Sequence, residues 1–223
     1  MPALSVTRLI LTALVLLVSC AGVGAAEPAR KRVAIIIDDG PDPVQSAKYH
    51  ALFAREGVRV SFAHVGRNVA AHPGLTRAAA EAGHEIVNHS YTHPHFKELA
   101  DAAIRREVAD TQAAVKAATG RAPQWFWAPF GDWDDRIAAA VAAEGLEHFP
   151  VLGFHFLDTR DWDGATTPEQ IRTRATRGVR DLTIILCHEW PPKTLVEMPG
   201  IIAELKAQGA EFVTFSELVK LRP

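Results

Sequence analysis

Short apolar runs alternate with segments of helical periodicity along most of the chain. The run at residues 33–37 is apolar at every position, which is typical of a parallel strand buried on both faces. Together with six similar runs it predicts seven strands, at 33–37, 58–65, 84–88, 125–128, 149–152, 183–187 and 211–214. Strands that alternate with helices indicate an α/β fold with a parallel sheet, which right-handed crossovers can close into a barrel.

Local signals predict the boundaries of three helices. Apolar positions 104, 108, 115 and 118 keep helical spacing, with Asp101 as the candidate cap and Gly120 as the end. Thr167 and Gln170 have the spacing of a capping box, with proline at the first helical position. Ser216 is predicted to cap a last short helix over 217–221. These helices fall between the predicted strands, as the fold class requires.

Residues 1–26 predict a leader that directs export. Arg8 precedes the apolar run 9–18, which is too short to span a bilayer. Two processing sites compete. Residues 24–26 (Gly-Ala-Ala) fit signal peptidase, whereas 17–20 (Leu-Val-Ser-Cys) resemble a bacterial lipoprotein signal with a lipid anchor at Cys20. We slightly prefer the cleaved form, which would be periplasmic or secreted, and a membrane-anchored lipoprotein is the alternative.

Residues 27–223 are expected to form one domain, and its composition excludes several classes of function. The chain has 223 residues, is 48% hydrophobic and has a net charge of −2. It has no basic stripe of the kind that binds nucleic acid, and no transmembrane helix is expected in the mature protein. Cys187 is the only cysteine left once Cys20 is removed with the leader or lipidated, so no internal disulfide is expected. We expect a monomer.

Two adjacent carboxylates follow the first predicted strand. Asp38 and Asp39 thus lie where α/β folds hold their active sites. His89 and His93 follow the third predicted strand, and on a helical turn their spacing would put both imidazoles on one face. Two histidines and one carboxylate leave coordination positions open, as catalytic zinc requires. Because neighbouring strand residues point to opposite sides, one aspartate is expected to bind the ion and the other to act as a base.

Two further groups of residues suggest chemistry and a substrate class. His188 follows the strand 183–187, and Asp161 follows another predicted strand end; an imidazole held by a carboxylate is the usual form of a general acid. All five tryptophans lie between 125 and 190. Aromatic rings stack on sugar rings, which favours a glycan, and core packing is the alternative role. The better candidates for a substrate wall are Trp133, Trp162 and Trp190.

These residues resemble the motifs of the polysaccharide deacetylases, a metal-dependent family that includes chitin and peptidoglycan deacetylases. The resemblance covers about residues 32–221. It rests on Asp-Asp-Gly-Pro at 38–41, His-Ser-x-x-His at 89–93, Asp-x-x-Asp-Trp at 158–162 and Leu-x-His at 186–188. It implies a distorted (β/α) barrel of about seven parallel strands.

The resemblance also implies a metal site and a base. Zinc, or another divalent ion such as cobalt or nickel, is expected to bind Asp39, His89 and His93. Asp38 is the expected base, which activates a water for attack on an acetamide carbonyl.

The remaining implied roles belong to the acid and to the substrate pocket. His188 would protonate the leaving amine, and Asp161 would orient it. The backbone N–H of Phe130 would stabilise the oxyanion. The predicted substrate-binding residues are Trp127, Pro129, Trp133, Trp162, Leu186 and Trp190.

One motif departs from the family pattern. Arg-x-Pro-Phe/Tyr-Gly is here Trp-Ala-Pro-Phe-Gly, at 127–131, so Trp127 stands where an arginine normally supports the catalytic base. Arg160 and Arg67 are the candidates to supply the missing charge. Without that charge, the pKa of Asp38 is expected to be higher than in relatives that keep the arginine.

Several functions are consistent with these residues. The leading hypothesis is an exported hydrolase that removes N-acetyl groups from an N-acetylglucosamine-containing polysaccharide, such as peptidoglycan or a chitin-type oligomer. The same site could cleave O-acetyl esters on xylan or a small amide. A catalytically weak glycan-binding protein is a third hypothesis, suggested by Trp127, although the full set of metal ligands and acid–base candidates favours an enzyme.

Overall fold

The computed structural model describes residues 30–148 and 153–222. Its strands are β1 (Lys31–Gly40), β2 (Ser61–His64), β3 (Glu85–Asn88), β4 (Trp125–Phe126), β5 (Glu147–His148), β6 (His155–Asp158), β7 (Thr183–His188) and β8 (Ala210–Phe212). Its α-helices are α1 (Ser46–Glu56), α2 (Gly66–Ala71), α3 (Pro73–Glu81), α4 (Asp101–Thr119), α5 (Asp135–Ala143), α6 (Pro168–Thr176), α7 (Pro192–Ala207) and α8 (Phe215–Lys220).

The strands form one parallel sheet that curls into a half-barrel. Their order is β5-β4-β3-β2-β1-β7-β6, and β8 pairs with the start of β1. Every pairing is parallel, and α1 to α7 each lie between two consecutive strands. The predicted α/β class and the distorted barrel are therefore confirmed, and all the strand ends that could carry chemistry meet at one edge.

Three strand predictions need comment. The run 58–65 forms a strand only over Ser61–His64, although Val58 and Val60 before it are also buried. The predicted strand 149–152 lies outside the described residues. A strand end was expected before Asp161, but β6 is not among the seven predicted runs, because all four of its residues are only half-buried and both its ends are polar.

The helix boundaries confirm two predictions and correct two. Gly120 ends α4 in the left-handed region, with φ 78°, and Thr167 and Gln170 form the capping box of α6. Asp101 is the first helical residue of α4 and not its cap; its carboxylate binds Arg136 at 2.9 Å. The cap of α8 is Thr214, which leaves the Ser216 hydroxyl to donate to Glu85. No helix in the described ranges is long and apolar enough to cross a membrane.

Strand β1 is buried on both faces, as its sequence predicts. Val33, Ile35 and Ile37 belong to the outer core, under the surrounding helices. Ala34 and Ile36 face the inside of the half-barrel, together with side chains of α8. Trp127 belongs to the same inner cluster. Because side chains alternate along a strand, the next inward position after Ile36 is Asp38.

Candidate metal centre and active site

A cavity of about 730 Å³ opens at the carboxyl ends of the strands. Asp38 and Asp39 reach it from β1, and His188 reaches it from β7. The register pairs Asp38 with His188 across these neighbouring strands. His89 and His93 enter from the loop after β3. The fold thus brings three separate motifs of the sequence to one place.

Asp39, His89 and His93 form a group that could hold a metal ion. Asp39 Oδ1 lies 3.3 Å from His89 Nε2 and 3.2 Å from His93 Nε2. All three candidate ligand atoms lie within 4.8 Å of one another. Two imidazole nitrogens and one carboxylate oxygen are a common donor set for catalytic zinc. These three side chains are the ones the sequence predicted as ligands.

The surroundings of this group fit a metal site. His89 Nδ1 lies 2.7 Å from the carbonyl oxygen of Trp127, and a carbonyl can only accept, so Nδ1 carries the proton and Nε2 stays free to bind an ion. Burial raises the pKa of Asp39, but its contacts with the imidazoles of His89 and His93 outweigh burial and hold the pKa below its ordinary value. Asp39 is therefore ionised, as a ligand must be.

The two histidines meet through a loop and not through the helical turn that their spacing suggested. Ser90 and His93 adopt left-handed backbone conformations, with φ 63° and 60°. The Ser90 hydroxyl accepts from the His93 N–H at 3.0 Å. The Glu107 carboxylate, on α4, accepts the N–H groups of Tyr91 and Thr92 at 2.8 and 2.7 Å. Sequence analysis missed Glu107 because this contact joins distant segments.

Asp38 and Asp39 both line the cavity, although neighbours on a regular strand would point apart. The register of β1 against β2 shifts between Asp38 and Gly40, so Asp39 is an extra residue with φ 71°. This bulge turns the Asp39 side chain back to the side of Asp38. Both carboxylates therefore reach the cavity, so one can still act as the expected ligand and the other as the expected base.

Asp38 is a buried carboxyl group beside the candidate metal ligands. Its Oδ2 lies 3.8 Å from His89 Nε2, and its buried Oδ1 has no hydrogen-bond partner among the described residues. Burial, helped by the charge of Asp39, raises the pKa of Asp38 to about 6. His188, and His89 when it is protonated, act in the opposite direction through their positive charge. A carboxyl group with this pKa suits a general base near neutral pH.

Trp127 supports Asp38 by a hydrogen bond. Its indole Nε1 donates to Asp38 Oδ2 at 2.5 Å, from the position where the family motif has arginine. Neither candidate for the missing charge takes this place: Arg160 lies 3.7 Å from Asp163 and over the ring of Trp162, and Arg67 is exposed. The support for Asp38 is therefore an uncharged N–H group, which lowers its pKa less than burial raises it.

His188 and Asp161 form the predicted imidazole–carboxylate pair. His188 Nδ1 lies 2.7 Å from Asp161 Oδ1. Asp161 Oδ2 accepts from the His188 backbone N–H and from the Thr194 hydroxyl, both at 2.7 Å. Burial lowers the pKa of His188, but the bond to Asp161 and the charge of Asp38 outweigh it and raise that pKa to about 9. His188 is therefore protonated at neutral pH. Thr194 was not foreseen from the sequence.

The predicted substrate wall is only partly found in the cavity. Trp162 and Trp190 are each 46% exposed, and both line it together with Leu186 and Trp127. Trp133 does not line it, because its ring stacks on His148 at 3.4 Å between centroids. Pro129 is buried in a 3-10 turn and also lies outside the lining.

Phe130 was predicted only for its backbone, yet its ring also lines the cavity. The ring is 60% exposed and stacks on His95 at 3.8 Å between centroids. Its backbone is left-handed, with φ 56°, as is that of Arg160 in the loop after β6, with φ 54°. Asp39, Ser90 and His93 also have positive φ. Five of the six non-glycine residues with positive φ in the described ranges therefore lie in the segments around the cavity.

Fold and site together are those of an α/β half-barrel with a candidate mononuclear metal centre beside an acid–base pair. The chain belongs to the polysaccharide deacetylase family, since the sequence profile of that family matches residues 25–149.

Relatives and solved structures of known name support this membership. The peptidoglycan-N-acetylglucosamine deacetylase PgdA of Listeria monocytogenes is 29% identical over 188 residues, which are 84% of this chain and 39% of that protein. The chain thus spans about two fifths of the length of this relative. A chitooligosaccharide deacetylase of Bradyrhizobium sp. is 30% identical, with 73% of each chain covered. A family 4 acetyl xylan esterase from Clostridium thermocellum, solved with a cobalt ion, superimposes with a TM-score of 0.78 at 33% identity, covering 86% of this chain and 91% of that one.

Proposed function

We propose that the protein is a metal-dependent hydrolase that removes N-acetyl groups from a glycan containing N-acetylglucosamine. One observation carries the proposal: a single cavity holds the Asp39, His89 and His93 group, the buried carboxylate of Asp38 and the protonated imidazole of His188. The named relatives that act on peptidoglycan and chitooligosaccharides support the substrate class. Peptidoglycan or a chitin-type oligomer is therefore the proposed polymer.

The proposed cofactor is zinc, with cobalt or nickel as alternatives. A divalent ion held by Asp39, His89 and His93 would supply a Lewis acid that polarises the acetyl carbonyl and makes water more acidic. The neutral nitrogen donors and the single carboxylate favour zinc over magnesium or calcium, which prefer oxygen ligands.

The chain itself moves the protons. Asp38 accepts a proton from the attacking water, because it is buried, close to the candidate ligands and has one oxygen without a partner. His188 donates a proton from Nε2 to the leaving nitrogen, because Asp161 holds its Nδ1. Asp161 keeps this imidazole oriented and charged. The backbone N–H of Phe130 is the proposed oxyanion donor.

The exposed aromatic rings support a sugar substrate. Trp162, Trp190 and Phe130 are exposed at the cavity, where a pyranose ring could stack. An O-acetyl ester on xylan is a second candidate substrate, favoured by the likeness to the Clostridium thermocellum esterase. Hydrolysis of the ester needs the same attack of water on the acetyl carbonyl, and its leaving oxygen needs a weaker acid than the leaving nitrogen of an amide does.

Acetate release from purified protein tests the proposal. N-acetylated chitin oligomers and peptidoglycan should release acetate, whereas acetylated xylan and small acetamides should release less. Asp38→Asn and His188→Ala should each lower kcat/KM by about a hundredfold or more while the metal is retained. Acetate mainly from xylan would favour the esterase, and glycan binding without acetate release would favour a binding protein.

Metal content tests the proposed ligands separately. His93→Ala should lose zinc, whereas His95→Ala, two residues further along the same loop and outside the three-residue group, should keep it. Equal zinc content in both variants would remove His93 from the ligand set.

We also propose that residues 1–26 act as an export leader. The support is the charge and length pattern of this segment, together with relatives whose names place their action on peptidoglycan.

A further inference from the structure

Trp190 forms a contact that a simple sugar wall does not need. Its indole Nε1 lies 3.0 Å from Asp39 Oδ2 and donates to it. The other oxygen, Oδ1, is the one that faces His89 and His93. The two oxygens of this carboxylate therefore have different neighbours, and only Oδ1 is directed at the candidate metal position.

The backbone places the indole firmly. Trp190 is the second residue after β7, and the N–H of the intervening Glu189 donates to the Asp38 carbonyl at 2.9 Å. Pro191 and Pro192 come next and open α7; each ring fixes its own φ, and a proline also restricts the residue before it. A donor held in this way loses little freedom when it binds the carboxylate.

The side chain of Glu189 ties the same segment to the turn after Asp39. It is fully buried and accepts from the Ser46 hydroxyl of α1. Its carboxyl group packs so closely over Gly40 that a Cβ atom there would lie 1.6 Å from Glu189 Oε2. The position of Trp190 and the position of Asp39 are thus set by one packed unit.

Asp39 needs such support. It is the extra residue of the bulge, with a left-handed backbone, and its side chain is 24% exposed. The Asn68 side-chain amide holds its carbonyl oxygen at 3.1 Å, but this contact leaves the carboxylate free to rotate about the side-chain bonds. The indole of Trp190 supplies the missing restraint on Oδ2.

We propose that Trp190 is a positioning residue of the metal centre: its indole N–H holds Asp39 Oδ2, leaves Oδ1 for the ion and thereby raises the affinity for a divalent cation. This inference rests on the metal site of the proposed function. It gives the two neighbouring carboxylates parallel support, because Trp127 holds Asp38 in the same way.

Trp162 offers a matched control. Trp162 is as exposed as Trp190 and lines the same cavity. Its ring lies under the guanidinium of Arg160, whereas the indole N–H that Asp39 Oδ2 accepts comes from Trp190. Phenylalanine at either position keeps an aromatic ring and removes the N–H group. Trp190→Phe and Trp162→Phe therefore separate the hydrogen bond from the aromatic wall.

The test is the dissociation constant of the metal-free protein for Zn²⁺, measured by competition with a chelator in the absence of any sugar. Trp190→Phe should weaken binding by about 10-fold to 100-fold, as for other residues that orient a metal ligand, and Trp162→Phe should stay within about 2-fold of wild type. Wild-type affinity in Trp190→Phe, or equal losses in both variants, would overturn the proposal.

A second measurement and a substitute pair of variants keep the result unambiguous. The visible absorption of the Co²⁺-loaded protein should change in Trp190→Phe and not in Trp162→Phe, because only the former alters how Asp39 is held. If Trp190→Phe does not fold, Trp190→Leu and Trp162→Leu form the substitute pair, with the same outcomes. Wild-type protein that binds Zn²⁺ but releases no acetate would refute the proposed function alone, whereas wild-type protein that binds no Zn²⁺ would refute this inference.

Discussion

Replacing Trp127 by phenylalanine should make the enzyme sensitive to acid. The variant removes the N–H group that donates to Asp38 Oδ2. Because Asp38 Oδ1 has no hydrogen-bond partner among the described residues, the buried carboxylate would then accept no hydrogen bond at either oxygen. A hydrogen bond to a charged group contributes about 1.5 to 3 kcal/mol, and about 1.4 kcal/mol corresponds to one pH unit in a pKa. Of the effects on the pKa of Asp38 described above, the hydrogen bond from Trp127 is the weakest. We therefore expect a free-energy contribution at the lower end of the range of about 1.5 to 3 kcal/mol.

The expected result follows from a rise of about one pH unit in the pKa of Asp38, which is about 6 in the wild type. A base works only when ionised, so the activity falls where the extra protonation occurs. At a pH equal to the wild-type pKa, the ionised fraction drops from about one half to about one tenth, and kcat/KM there should fall about fivefold. About two pH units higher both forms are almost fully ionised, and the loss should be small.

The assay is kcat/KM for acetate release as a function of pH, with zinc-loaded protein. A bound cation lowers the pKa of Asp38 in both proteins, so the difference between them is the quantity to compare. Trp125→Phe is the control, because Trp125 is as buried as Trp127, 8% exposed, but donates to Ser216 at 2.8 Å. An unmoved acid limb in folded Trp127→Phe, or an equal shift in Trp125→Phe, would refute the reasoning.

Three further outcomes are expected. Trp127→Arg should move the acid limb of kcat/KM to lower pH than in the wild type, because a guanidinium beside Asp38 favours its ionised form; a limb that does not move would mean that another group already supplies the charge. Asp161→Asn should lower the pKa of His188, which is about 9 in the wild type, so the alkaline limb should move to lower pH by about one unit or more, and an unmoved limb would point to a different acid. Mass spectrometry of the mature amino terminus should find a chain that starts after Ala26, whereas a diacylglyceryl group on Cys20 would show lipoprotein processing.

The sequence predicted those parts of the fold that local patterns determine. Strand β1 was foreseen because it is apolar on both faces, and α6 was foreseen because Thr167, Pro168 and Gln170 each favour a helix start. Strand β6 was missed because its half-buried residues make no apolar run. The cap of α8 was misassigned because both threonine and serine are residue types that cap helices, and the contacts of Ser216 with Glu85 and Trp125 join distant parts of the chain.

The candidate site follows the same division. Strand-end placement predicted His89, His93 and one of the two aspartates as ligands, and the family resemblance implied that this aspartate is Asp39. The structure brings the three candidate ligand atoms together. The bulge that turns Asp39 inward could not be predicted, because it depends on the register between two strands. The hydrogen bonds of Trp127 and Trp190 were also beyond prediction, since each joins residues about 90 or 150 positions apart.

The left-handed residues around the cavity have a cost for the whole molecule. A non-glycine residue in that conformation is about 1 to 2 kcal/mol less stable than in the right-handed one, so five of them together approach the net stability of an ordinary domain. Glycine would relieve this strain at Asp39 or His93 but would delete a candidate ligand. Selection for thermal robustness and selection for a working site therefore act against each other at these positions, and stabilising substitutions should be sought in the helices that cover the outer core.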